Sequence, residues 1–163
     1  MIWRDMIAAD LPAVERIGAA VHPDHPEDAA VFAERLRLYP EGCLALCEGR
    51  EILGYAVSHP WHDGSSPALN TLLGALPESP SCLFVHDLAL LPAARRQGAG
   101  ARGMRRLMAQ AGGCPVCLVA VGRSRPFWES LGFAVAENAG LTDKLRSYGA
   151  GACYMRHAPV PPR

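Results

Sequence analysis

Leu83-Phe84-Val85-His86-Asp87-Leu88-Ala89-Leu90-Leu91 is an apolar run of strand character that stops at Pro92. Arg95-Arg96-Gln97-Gly98-Ala99-Gly100 follows, and residues 101–111 continue at helical spacing, with Met104, Leu107, Met108 and Ala111 recurring on one side. A strand that passes through a basic, glycine-bearing turn into a helix start is an anion cradle. Glycines let the backbone come close to a phosphate. The free N–H groups of the first helical turn point at its oxygens, and the helix dipole favours negative charge there. The stretch therefore implies a ligand carrying phosphate groups.

Gly98-Ala99-Gly100-Ala101-Arg102-Gly103 also spells the dinucleotide fingerprint G-x-G-x-x-G. That reading fails on context. The fingerprint needs a strand directly before its first glycine and an acidic residue about 20 positions later. Here six residues separate Leu91 from Gly98, and the later position falls in Cys117-Leu118-Val119-Ala120-Val121, which holds no carboxylate.

Downstream, Gly112-Gly113 closes the helix, and Val116 to Val121 reads as a strand. A helix over Pro126 to Leu131, a strand over Phe133 to Glu137 and a last strand over Ala152 to Arg156 follow. Upstream, Ile2 to Met6 is a short strand. Asp10-Leu11-Pro12 opens a helix with Leu11, Val14, Ile17 and Val21 on one side. A second helix carries Val31, Phe32, Leu36 and Tyr39, and two strands, Cys43 to Cys47 and Ile52 to Ser58, form a hairpin. Pro60 to Pro80 is a long connection with an expected helical piece at Leu69 to Leu76.

Arg95-x-x-Gly98-x-Gly100 resembles Q/R-x-x-G-x-G/A, the pyrophosphate loop of the GNAT superfamily of acetyl-CoA-dependent N-acetyltransferases. Asp87-Leu88-Ala89-Leu90 resembles the strand before that loop. Pro126-Phe127-Trp128-Glu129-Ser130-Leu131-Gly132-Phe133 resembles the family's F-Y-E-K-L-G-F segment. The resemblance is clearest over residues 83–135. It implies an α/β fold with a central mixed, mostly antiparallel sheet, splayed where the cofactor enters and flanked by helices. It implies acetyl-CoA as co-substrate, held by the backbone of Leu88, Ala89 and Leu90, by the Arg95, Arg96, Gln97, Gly98, Ala99, Gly100 and Ala101 turn, and by Phe127 and Trp128.

A chain of 163 residues with half of them apolar is expected to form one domain, residues 1–163, with a loose tail over residues 158–163. It shows no span-length apolar run and no signal-peptide start, so a cytoplasmic location and no membrane partner are expected. Net charge is zero, yet no acidic residue occurs between Leu88 and Trp128, where seven arginines lie. That local field suits a polyanion such as coenzyme A, while the neutral total argues against nucleic acid. About half of those arginines are expected to be ordinary solvated helix-surface residues. Cys114-Pro115-Val116-Cys117 has redox-motif spacing but leads into a strand rather than a helix start, and Cys43 and Cys47 have zinc-like spacing beside it. Buried, inert thiols are the expectation, with no metal.

Acetyl transfer needs a base for the amine. Strand alternation places Phe84, His86 and Leu88 on one face and Val85, Asp87 and Ala89 on the other. In enzymes resembling this one, a Glu or His on the first face is the base or holds the water that is. His86 is therefore the catalytic candidate, and a neutral core histidine is the alternative. Asp87 is expected to be a structural acceptor. The family's usual Tyr acid is replaced by Trp128, whose indole N–H is no practical acid, so Tyr148, Tyr154 or solvent stands as its substitute. Val121 occupies about the place of a frequent Asn. Acceptor selection is expected in the early loop, where His22, Asp24 and His25 lie with Glu27 and Asp28 and suit a cationic amine. His59, Trp61 and His62 are weaker candidates. A non-catalytic acyl-CoA-binding or regulatory domain is the competing function. Acceptor identity, exact acyl group and oligomeric state, a homodimer included, stay open.

Overall fold

The computed structural model describes residues 1–137 and 141–159. One seven-stranded sheet forms its centre, in the order β1-β2-β3-β4-β5-β7-β6. The strands are β1 (Ile2–Asp5), β2 (Cys43–Glu48), β3 (Glu51–Trp61), β4 (Cys82–Leu90), β5 (Val116–Ala120), β6 (Ala134–Val135) and β7 (Cys153–His157). Neighbours run antiparallel except β4 and β5, which are parallel and joined through α3 (Ala99–Met108). The helices α1 (Leu11–Val21) and α2 (Ala29–Leu38) precede the hairpin, and α4 (Arg125–Ser130) and α5 (Thr142–Ser147) follow β5.

Each face of the sheet is covered by what the periodicity exposes to it. On one face, Met104 and Leu107 of α3 and Trp128 of α4 pack on Leu44, Leu46, Val85, Leu118 and Met155. On the other, Val14 and Ile17 of α1 and Phe32 of α2 pack on Tyr55, Val57 and Ala89. Burying side chains of this size contributes roughly 1.5–3 kcal/mol each, which is what holds the helices on the sheet. The start of α3 is fixed from β1. Trp3 Nε1 donates to Ala99 O (2.8 Å), and Arg106 donates to Trp3 O (2.7 Å).

The alternation expected along β4 breaks at His86. Val57 pairs with Asp87 but its successor Ser58 pairs with Val85, so His86 is an extra residue without a cross-strand partner. Such a bulge shifts the side-chain parity beyond it. Val85 consequently shares its face with Leu88 and Leu90, while Phe84 and Ala89 lie on the opposite one. The expected grouping of Phe84 with Leu88, and of Val85 with Asp87 and Ala89, is corrected accordingly.

Other boundaries differ for local reasons. The β3 strand runs on through Pro60 to Trp61, because the register at Pro60 faces Leu83 without needing its missing N–H. Residues 69–76 form no helix. The amides of Leu73 and Gly74 donate instead to the Glu34 carboxylate (2.6 and 3.0 Å), which leaves no ladder to build. The α5 helix, unexpected from the sequence, fills the stretch before β7, and β6 is only two residues long. Residues 160–163 of the expected tail lie outside the described residues. Among the described residues no helix is long and apolar enough to cross a membrane.

Candidate active site

The parallel pairing of β4 with β5 ends at Val85 and Leu118, one residue before the bulge. Beyond it the two strands part, and a cleft of about 680 Å³ opens between them. Asp87 and Leu88 border it from β4, Val119 and Val121 from β5 and its end, and Phe127 and Trp128 from α4. From the α1–α2 loop come His22, Asp24, His25 and Glu27, with His86 and Tyr148 completing that end. The strands thus supply a slot with unpaired main chain on its walls, bordered by Arg95 of the glycine turn and by a group of titratable side chains, while residues 96–101 stand outside its lining.

The turn has the geometry its glycines require. Gly98 stands at φ +69, in the left-handed region, immediately before α3. The amide of Arg102 donates to Gly98 O (3.1 Å), and by helix geometry the amides ahead of it have no intrahelical acceptor. Ala99 and Gly100 are buried, and a Cβ at Gly100 would lie 3.1 Å from the Phe127 ring, so the glycine lets α3 approach α4. Arg95 borders the cleft and donates to Leu90 O (3.0 Å), occupying one carbonyl expected to face the cofactor arm. Ala89 directs its side chain toward α1 rather than the cleft. Arg96 is exposed at φ +66, and Gln97 Nε2 donates to Ala93 O (3.3 Å). Arg106 and Arg125 pair with Asp5 and Glu129, so part of the arginine excess is structural.

Two imidazole–carboxylate couples face each other across the acceptor end. His86 Nε2 lies 2.7 Å from Glu27 Oε1, and both side chains are 7% exposed. A carboxylate only accepts, so Nε2 carries the hydrogen and Nδ1 is left to take a proton. In the second couple His22 Nε2 lies 2.8 Å from Asp87 Oδ1, an ion pair off the hydrogen-bonding axis. Burial acts to lower the His22 pKa, but Asp87, the Leu88 main chain and Glu27 together outweigh it and the net shift is upward. Burial likewise acts to raise Asp87, and His22, His86 and Tyr55 together outweigh that, so it stays below the usual carboxylate value. Asp87 also accepts from Tyr55 Oη, whose own pKa is pushed up by burial and by that carboxylate. The bulge explains why consecutive residues, His86 and Asp87, both reach the cleft.

Several candidates sit elsewhere. Tyr148 is on the wall, but its hydroxyl donates to Pro67 O (2.8 Å) rather than into the cleft. Tyr154 donates to Asp63 Oδ1 (2.9 Å) and accepts from Gly64 N (2.8 Å), on a separate small pocket. His59 is fully buried behind the site, its ring centroid 6.2 Å from that of His86, and burial pushes its pKa down to about 3. Trp61 and His62 are not on the cleft wall. Trp128 is buried against Phe133, as a core residue at the cleft edge. Cys117 is buried on β5 and Cys114 is exposed before it. Among the described residues no cluster of His, Cys, Asp or Glu is arranged for a metal ion. Glu27 was legible only as an acid of the acceptor loop, since nothing in the spacing of residues 27 and 86 announces their contact.

The sequence model of the Acetyltransferase (GNAT) family matches residues 3–133. The chain belongs to this family. Solved structures of the GNAT fold align over nearly all of this chain. A GphF GNAT-like decarboxylase in complex with isobutyryl-CoA aligns at a TM-score of 0.79 and 18% identity, covering 97% of this chain and 99% of that one. The loading GNATL domain of CurA from Lyngbya majuscula aligns at 0.76 and 16%, covering 96% of each. Chaetomium thermophilum Naa20 in complex with a bisubstrate analogue aligns at 0.73 and 16%, covering 98% of this chain and 87% of that one. No curated protein sequence matches the chain.

Proposed function

We propose that this GNAT protein is an N-acetyltransferase that moves an acetyl group from acetyl-CoA to a primary amine of a small molecule or peptide. The observation that carries the reading is the His86–Glu27 hydrogen bond, placed at the β4 bulge where the cleft opens. Acyl-CoA use is supported by the glycine turn before α3 and by the isobutyryl-CoA held by the GphF relative. The pyrophosphate goes to the turn of residues 95–101, and the pantetheine arm runs along the unpaired edge of Leu88 to Leu90 toward the bulge.

In the reaction, the amine nitrogen attacks the thioester carbonyl. The C–N bond forms, the C–S bond breaks, and CoA leaves as a thiolate. A free alkylamine is mostly protonated at neutral pH, so a proton must be removed, and His86 Nδ1 takes it directly or through one water. Glu27 holds the ring in that tautomer and stabilises the imidazolium that forms, the role a carboxylate plays behind a catalytic histidine. Asp24, Glu27 and Asp87 give the acceptor end a negative lining that suits a cationic amine. A thiolate with an ordinary pKa of about 8.5 needs no strong acid, so water reprotonates it, and the Tyr148 hydroxyl stays on Pro67. We place the activity in the cytoplasm, where acetyl-CoA is available and six free thiols stay reduced.

The second reading, a non-catalytic acyl-CoA-binding domain, is favoured by the core packing of Trp128 where the family's usual acid stands. Thiol release from acetyl-CoA across a panel of amines separates the two. Amine-dependent release supports transfer, and tight CoA binding without release from any amine supports the binding domain.

A further inference from the structure

Asn70 lies in the long connection between β3 and β4 with φ +53. A non-glycine residue adopts this left-handed backbone at a penalty, and Asn is among the few that tolerate it. Three of its polar groups converge on one short segment. Its backbone N–H donates to Glu27 Oε2 (3.2 Å), its Nδ2 donates to Asp28 Oδ2 (3.3 Å), and its Oδ1 accepts from the Asp28 N–H (2.7 Å). The other Glu27 oxygen, Oε1, is the one that His86 Nε2 reaches. The carboxylate is therefore gripped at both oxygens, from β4 on one side and from the long connection on the other.

The grip has its own anchor. Glu34 of α2 accepts from the amides of Leu73 and Gly74, and the fully buried Arg35 donates to Thr71 O (3.2 Å). The segment around Asn70 is thereby fastened to a helix of the core. Glu27, in contrast, stands in a stretch without regular structure, and its long, rotatable side chain is oriented only by the partners at its carboxylate.

We propose that Asn70 is the positioning residue of the His86–Glu27 couple. Its side-chain clasp on Asp28 fixes the left-handed turn that presents its backbone N–H to Glu27, and so holds the carboxylate where it accepts from His86 Nε2 and leaves Nδ1 for the acceptor's proton. The proposal rests on His86 as the base, and its test separates the two. Asn70→Ala removes both side-chain bonds and disfavours the left-handed backbone. Asn70→Gly removes the same two bonds to Asp28 and leaves the N–H that meets Glu27 on an unanchored but unstrained backbone, so it serves where the alanine variant folds poorly.

The first readout needs no turnover: the downfield proton resonance of the His86 ring N–H in the free protein, assigned by its loss in His86→Ala. With the clasp intact this proton is sheltered in its bond to Glu27. In the folded Asn70 variants it is expected to broaden into exchange with water. The second readout is kinetic. kcat is expected to fall by about tenfold, the scale on which partners of a working group act, while CoA affinity stays within about twofold. An unchanged His86 ring signal in a folded Asn70→Ala or Asn70→Gly protein overturns the clasp. Loss of the signal with undiminished kcat supports the clasp and overturns His86 as the base.

Discussion

Gly100→Asp probes the phosphate turn at its tightest point. Gly100 is the second residue of α3, where a Cβ would meet the Phe127 ring at 3.1 and 3.3 Å and Leu90 Cδ1 at 3.4 Å. The ring must yield by a few tenths of an ångström, a mild strain. Against it stand the better helix propensity of a non-glycine residue and a favourable carboxylate at a helix N-terminus, about 0.3–1 kcal/mol. Gly100 is buried, so the carboxylate also costs desolvation, and the variant should fold with a Tm modestly below the parent's. Bound pyrophosphate is another matter. A carboxylate about 4 Å from one phosphate charge repels it by about 1 kcal/mol in bulk water and about 4 kcal/mol at the effective dielectric of a protein surface. At least about 1.4 kcal/mol, a tenfold weaker Kd, is expected for CoA by isothermal titration calorimetry. The loss should persist with 3′-dephospho-CoA, because the affected group is the pyrophosphate, and should shrink in high salt. Gly100→Ala should bind within about threefold of the parent, since it adds the methyl without the charge. A folded Gly100→Asp protein with unchanged CoA affinity would refute the assignment of this turn.

Two further substitutions test the rest of the cleft. Tyr148→Phe should lower kcat by less than about tenfold, because its hydroxyl serves Pro67 rather than the leaving thiolate; a fall of the size that general acids supply, about 10²–10⁴, makes Tyr148 the acid instead. Asp87→Asn should destabilise the fold more at pH 5.5 than at pH 9. The raised His22 pKa gives a contribution that is full below about 6.5 and lost as pH climbs through the folded value, while the depressed Asp87 pKa gives one that is present above about 3.9. Equal Tm losses at the two pH values would show that the ion pair contributes nothing.

Much of this architecture was readable because local signals and tertiary structure agree. The apolar run ending at Pro92, the glycine turn and the Met104–Leu107 spacing led to β4, the turn and α3. The bulge at His86 was not readable. A period of two has no mark for an extra residue, so the faces beyond Val85 came out inverted and Asp87 was turned away from the cleft. The irregular course of residues 69–76 depends on Glu34, 39 and 40 positions away from the amides it binds, and no window of sequence contains that competition. His86 was singled out by its strand, and His22, Asp24 and His25 by their loop. The pairing of His86 with Glu27, and of His22 with Asp87, arises only when α1, its following loop and β4 meet.

The central claim is that His86 removes the acceptor's proton. The most direct measurement is kcat against pH for the parent and for His86→Ala, with CoA affinity and Tm determined on the same preparations. With His86 as the base, His86→Ala lowers kcat by about 10²–10⁴ and loses the acidic limb of the profile, while CoA affinity stays within about twofold of the parent. A folded His86→Ala protein that keeps the parent's kcat and pH profile would contradict it.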